Sequence, residues 1–189
     1  GKHRRHYARC VTALPYDRRL HEAVFRLKEK GCNTTADGFA AEMWEVLRRE
    51  YGGIAFDCVT PVPLHEKEYR RRGFNQAELL AARLAEWLAV PLLPLLTKPG
   101  ETLPQKTLPA SRRKGNLLGA FDVPDPARAA GKTVLLVDDI VTTGATLDEC
   151  AKMLKLAGAA EVYAVTAAGT VPDAEDGSGD GLQNPSNGV

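Results

Sequence analysis

Three features of this 189-residue sequence predict an α/β domain with a central, mostly parallel sheet flanked by helices. Apolar runs of strand length, such as VLLV at 134–137, have no polar face, as a strand covered on both sides of a parallel sheet requires. They alternate with segments whose apolar residues recur at helical spacing, among them Leu147, Cys150, Ala151 and Leu154. Twice a strand runs through a polar loop into a helix. In an open parallel sheet such loops gather at the carboxyl edge, where ligands bind.

The length suits one domain, large enough to bury a core without disulfides or a structural metal. Hydrophobic residues at 44% and charged residues at 26% are globular values, which excludes a fibrous or wholly disordered chain. The net charge is +1, yet residues 169–189 hold Asp173, Glu175, Asp176 and Asp180 and no Lys or Arg, so the remainder is mildly basic. That balance suits a phosphate-rich ligand and does not by itself indicate nucleic acid. Cys10, Cys32, Cys58 and Cys150 show no C-x-x-C spacing, so the sequence predicts no zinc site and reduced thiols in a cytoplasmic protein. No apolar run approaches the roughly 20 residues that span a membrane, and no membrane insertion is expected.

Residues 1–15 read as a basic, solvated N-terminal arm ahead of a domain at 16–168. From Asp17, the spacing of Leu20, Val24 and Leu27 predicts a helix ended by Gly31. A second helix runs through Phe39, Met43, Val46 and Leu47 and stops near Gly52-Gly53, with Met43 and Trp44 as core packing. Residues 54–60 predict a strand that stops at Pro61-Val62-Pro63-Leu64, because two prolines cannot continue a central ladder. A cationic loop from His65 to Gln76 follows, and Asn75 with Glu78 opens a helix carrying Leu80, Leu84, Trp87 and Leu88. Residues 92–96 contain Pro94 and read as an edge segment. Residues 97–119 lack periodicity and hold Lys98, Gln105, Lys106, Arg112, Arg113, Lys114 and Asn116, which predicts a mobile flap over an anionic ligand. Residues 121–123 predict a short returning strand, 162–168 a last strand, and 169–189 a disordered acidic tail.

The densest chemistry lies at 138–146. Asp138 and Asp139 fall where the apolar strand emerges, and Thr142, Thr143, Gly144, Ala145 and Thr146 follow at a helix N-terminus. N–H groups at such a terminus, with the positive end of the helix dipole, bind anions, and Gly144 lets the backbone approach a phosphate closely. An acidic pair beside that cradle fits a ligand that also brings hydroxyls or a divalent cation, as a sugar phosphate with a cis-diol does. A strand-ending Asp or a capping Thr is ordinary taken singly. Five polar residues and a glycine exceed what a cap needs. In the preceding loop, Arg72 of an arginine triplet offers a planar fork suited to pyrophosphate oxygens.

The string DDIVTTGAT resembles the phosphoribosyl-pyrophosphate (PRPP) motif of type I phosphoribosyltransferases. With PVPL, RGFNQ and a Q...R..N segment in order before it, residues 16–168 resemble the ComF family, phosphoribosyltransferase-like proteins linked in bacteria to competence and the uptake of single-stranded DNA. The matching positions include Pro63, Arg72, Gly73, Asn75 and Gln76, then Thr102, Gln105, Arg113 and Asn116. The resemblance implies a type I phosphoribosyltransferase fold with a flap, PRPP as substrate or ligand, and magnesium held indirectly by Asp138 and Asp139. It implies those two acids on the ribose hydroxyls as the catalytic pair, the loop from Thr142 to Thr146 on the 5-phosphate, and Arg72 with Lys106 or Arg113 on the pyrophosphate. The reaction would transfer phosphoribosyl to a nitrogen nucleophile with release of pyrophosphate. The alternative is a PRPP-responsive or single-stranded-DNA-binding accessory protein without turnover, working with the DNA-uptake machinery, because residues 20–49, the only candidate hood for a base, are poor in aromatic faces. A homodimer is compatible with either reading. Two departures from the family stand out: the chain begins after the place of the family's zinc ribbon, and Lys98 stands where Arg is usual.

Overall fold

The structure, a computed structural model, describes residues 4–30, 33–99 and 120–170. Four strands form one sheet: β1 at Arg9–Pro15, β2 at Cys58–Pro61, β3 at Thr133–Val141 and β4 at Glu161–Gly169. Their order is β1-β4-β3-β2 and every pairing is parallel, with Val134 opposite Val162 and Cys58, and Val137 opposite Val165 and Pro61. Among the described residues five α-helices flank it: α1 at Arg18–Lys30, α2 at Asn33–Tyr51, α3 at Glu66–Arg72, α4 at Gln76–Leu88 and α5 at Ala145–Leu156.

The two-residue period of β3 distributes VLLV between two cores. Leu135 and Val137, with Val165 of β4, pack with Val24 and Leu27 of α1, Phe39 and Met43 of α2, and Leu80 and Leu84 of α4. Val134 and Leu136, with Val162 and Ala164, pack instead with Leu147, Cys150, Ala151 and Leu154 of α5. All four VLLV side chains are fully buried, each worth about 1.5–3 kcal/mol relative to exposure, which is why the run carries no polar residue. α2 and α4 also meet through Trp44 and Trp87, edge to face at 5.8 Å. At the end of α2, the Tyr51 hydroxyl donates to the Ala164 carbonyl at 2.9 Å, tying that helix to β4.

Several expectations are corrected. Residues 9–15 are not part of an arm but the edge strand β1; of its RCVTALP sequence only Val11 is fully buried, so its hydrophobic signal is weak. β3 does not end before the acids; it continues through Asp138-Asp139 to Val141. The β2 strand is shorter than 54–60 and keeps Pro61 as its last residue, after which the Val62 N–H donates to the Val137 carbonyl at 2.8 Å. Most of the expected loop after His65 is helix α3, capped by His65 and closed by Gly73. Leu92 forms a parallel bridge to Val59 outside β2, in agreement with an edge position, and residues 121–123 contribute a single antiparallel bridge, Asp122 to Thr97. The flap at 100–119 and the tail at 171–189 lie outside the described residues.

Candidate functional site

The carboxyl ends of β2 and β3 carry the predicted residues. Asp138 and Asp139 are both buried, at 9% and 6% exposure. The Asp139 N–H donates to Asp138 Oδ1 and the Ile140 N–H to Asp139 Oδ1, each at 2.8 Å, so local side-chain bonds fix both carboxylates at the last turn of the ladder. Asp138 follows Val134 and Leu136 on the α5 side. Beneath it, burial first and then the Asp138 charge push the Cys150 thiol well up from its ordinary value, while Lys98 offsets part of that shift. Asp138 is also in register with Thr166, whose hydroxyl lies 3.1 Å from that of Thr12, so three adjacent strands present a polar row at this edge.

The cradle follows at once. Thr142, Thr143, Ala145 and Thr146 are exposed, and Gly144 is buried. Gly144 is the N-cap of α5 with φ 76°, a left-handed conformation that side chains disfavour. It supplies no side-chain cap, and the Thr143 hydroxyl reaches only the Ala145 N–H, at 3.3 Å. A helix of twelve residues thus opens on backbone donors and threonine hydroxyls, an arrangement suited to an anion.

One neighbour of this loop is not evident from the sequence. Arg5 Nη2 donates to the Thr143 carbonyl at 2.7 Å, and the His6 N–H donates to Asp148 Oδ1 at 2.7 Å, with His6 Nδ1 3.1 Å from the same oxygen. A Cβ on Gly144 would lie 3.0 Å from the Tyr7 hydroxyl. Residues 5–7 therefore lie against the cradle, although Arg5 and His6 remain exposed on their outer side. The run of basic residues before β1 is the only signal that could have pointed to them.

The other loop is an elbow between α3 and α4. Gly73 closes α3 at φ 78°, its N–H donating to the Tyr69 carbonyl. Asn75, 6% exposed, caps α4 by accepting from the Ala77 N–H at 2.9 Å, and its Nδ2 donates to the Val62 carbonyl at 3.0 Å. Since Val62 in turn bonds Val137, two consecutive hydrogen bonds connect the elbow to the residue before Asp138. Arg72 is largely buried, donating from Nη1 to Gln76 Oε1 at 3.2 Å, with Nη2 3.7 Å from Glu68. Its buried Nε makes no hydrogen bond.

Two clefts border the elbow. One, of about 360 Å³, is lined by Pro61, Pro63, Leu64, Asn75, Leu96 and Lys98 among others; a second, of about 370 Å³, lies between the elbow and Asp37 of α2. Neither is lined by Asp138, Asp139 or the cradle, which stands open at a strand end. The structure thus brings Pro63, Asn75 and the acids to one edge. Gln105, Lys106, Arg113 and Asn116 lie outside the described residues. No helix among the described residues is long and apolar enough to cross a membrane.

A parallel sheet with buried acids at the end of a central strand and a glycine-opened turn into a helix defines a phosphoribosyltransferase-type α/β domain. The chain matches the phosphoribosyl transferase domain family over residues 71–179. It is 39% identical over 108 residues to Competence protein F of Haemophilus influenzae, which covers 56% of this chain and 47% of that protein. It is 36% identical over 160 residues to DNA utilization protein YhgH of Escherichia coli, covering 82% and 70%. Among solved structures, glutamine phosphoribosylpyrophosphate amidotransferase from B. subtilis aligns with TM-score 0.49 and 20% identity, over 70% of this chain and 26% of that one. The chain belongs to the ComF family of phosphoribosyltransferase-like proteins.

Proposed function

We propose that this protein binds PRPP at the carboxyl edge of β3 and transfers its phosphoribosyl group to a nitrogen nucleophile, releasing pyrophosphate. One observation carries the reading: two buried carboxylates at the end of β3 stand a few residues before a left-handed glycine that opens α5 on backbone donors. A ligand for this edge needs hydroxyls for the acids and a phosphate for the cradle, and PRPP has both.

Asp138 and Asp139 accept hydrogen bonds from the ribose 2- and 3-hydroxyls and hold the ring still while the bond from C1 to pyrophosphate lengthens. N–H and hydroxyl donors from Thr142 to Thr146 grip the 5-phosphate at the far end. Arg72 serves the pyrophosphate, joined by Lys106 or Arg113; its Nε, buried without an acceptor, supports a role that a ligand oxygen completes. The donor set suits magnesium. Among the described residues no group of three or more His, Cys, Asp or Glu could hold a metal alone, but two carboxylates with water and ligand phosphates are the usual magnesium environment. Asp138 and Asp139 would hold the ion through its waters, and it would supply neutralisation of charge on the leaving pyrophosphate. The names of the two relatives support a role in DNA uptake or use.

Calorimetry with PRPP, with and without magnesium, tests the site. The Asp138→Asn, Asp139→Asn double variant is expected to weaken binding by about tenfold or more, the scale of a lost charged hydrogen bond. Unchanged affinity would overturn the assignment. Pyrophosphate release in the presence of nucleobases or amines tests transfer. PRPP binding without release for any of them would leave a PRPP-responsive accessory protein instead.

A further inference from the structure

The segment before β1 has no part in the mechanism above, yet it makes the most specific long-range contacts at the cradle. Arg5 Nη2 holds the Thr143 carbonyl at 2.7 Å, and its Nη1 lies 4.0 Å from Asp148 Oδ2. His6 bonds Asp148 through both its backbone N–H and its ring. The Tyr7 hydroxyl fills the space where Gly144 lacks a Cβ, and burial, followed by a Cys10 thiolate, pushes that phenol up from its ordinary value.

These contacts have a shared geometric consequence. In a trans peptide the carbonyl of one residue and the N–H of the next point in opposite directions. A guanidinium that fixes the Thr143 carbonyl on one side therefore fixes the Gly144 N–H on the other. Asp148 matters electrostatically. It sits in the first turn of α5 with its side chain 15% exposed, where an uncompensated carboxylate would repel any phosphate brought to the cradle. Arg5 answers that charge, and His6 hydrogen-bonds the same carboxylate. Only Arg5 does both tasks.

We propose that Arg5 is a positioning residue of the phosphate cradle, orienting the Thr143–Gly144 peptide through the Thr143 carbonyl and compensating Asp148, so that residues 5–7 form a strap that belongs to the site. This inference rests on the phosphate-cradle reading above and goes beyond it by adding a segment from outside both motif loops. The ligand class is a sugar 5-phosphate, and the effect is confined to the phosphate end.

The test compares ribose 5-phosphate, pyrophosphate and PRPP by calorimetry with magnesium, on the full chain and on Arg5→Gln and Arg5→Lys. Arg5→Gln should weaken ribose 5-phosphate and PRPP by about tenfold, the scale of one charge-assisted contact. Pyrophosphate affinity should stay within about twofold. Arg5→Lys should recover part of the loss, because it keeps the charge and one donor but not the fork. Equal ribose 5-phosphate affinity in Arg5→Gln and wild type overturns the strap while leaving the PRPP reading intact. Equal losses for pyrophosphate and ribose 5-phosphate also overturn it, since that is the mark of a general structural role. If the wild-type chain binds neither ribose 5-phosphate nor PRPP, both readings fall.

Discussion

Two loops at one edge of the sheet turn on left-handed glycines and lead into helices, yet they use their polar residues in opposite ways. In the cradle, Thr142, Thr143 and Thr146 are exposed and Gly144 leaves α5 without a side-chain cap. In the elbow, Asn75 caps α4 and bonds Val62, and Arg72 bonds Gln76. One loop leaves its hydroxyls exposed. The other commits Asn75 to its own backbone, which holds β2, and through Val137 the acids, in place, while the Nε of Arg72 stays without a partner. A motif residue can therefore matter for binding without touching a ligand, and Asn75 is the clearest instance.

The largest separation between the loops should come from Asn75→Ala. It removes the α4 cap and strips a partner from the buried Val62 carbonyl, together about 2–3 kcal/mol. Thermal unfolding should fall by roughly 5–10 °C for a domain of this size. Thr143→Ala, an exposed cradle residue, should leave the melting temperature within about 2 °C and act on PRPP affinity alone. If the two variants melt together, the contrast between the loops is wrong.

The two glycines sharpen the same contrast at smaller amplitude. A Cβ on Gly73, at φ 78°, would meet nothing within 4 Å, so Gly73→Ala should cost only the left-handed penalty, about 1–2 kcal/mol. Gly144 has the same backbone at φ 76°, but a Cβ there meets the Tyr7 hydroxyl at 3.0 Å. Gly144→Ala should therefore be less stable than Gly73→Ala, and adding Tyr7→Phe to it should recover part of the difference. Urea unfolding of the three variants decides this, and equal stabilities would exclude the Tyr7 contact.

How much of this could be read from the sequence follows from how local each interaction is. Asp138 to Thr146 was legible because strand, acids, turn and helix start lie within one short string, and their chemistry needs no distant partner. The continuation of β3 through the acids was not, because pairing with β4 keeps Asp138 in a ladder that polarity argues against. α3 was hidden for a different reason. It buries no apolar residue, so it has no apolar period, and its cap is a histidine, whose Nδ1 accepts from the Lys67 N–H. The motif RGFNQ was visible, but not the work of Asn75, whose acceptor is Val62, 13 residues earlier. The strap and β1 were the least legible. Arg5 and Thr143 are 138 residues apart and Thr12 and Thr166 are 154 apart, so a basic run and a weak edge strand acquire meaning only when the sheet closes.

A last prediction probes the α5-side core, which holds both Cys58 and Cys150, by alkali. Cys58 begins β2 and packs on the α5 side of the sheet, and burial pushes its thiol up to about 11 from an ordinary value of 9.0. Cys150 lies in the same core, where burial and then the Asp138 charge also push its thiol well up. A thiol whose folded pKa is raised favours the neutral form, so its contribution to stability is full below pH 9 and is lost as pH rises through about 11. Burial also raises the Tyr51 phenol, so the wild-type curve alone mixes several groups, and the difference between wild type and Cys58→Ala isolates one. At pH 8 the variant should be less stable because of the small cavity it leaves. Urea midpoints should show that gap narrowing between pH 9 and 11, as wild type loses the contribution that the variant lacks. A gap that stays constant across that range would mean that Cys58 does not ionise there.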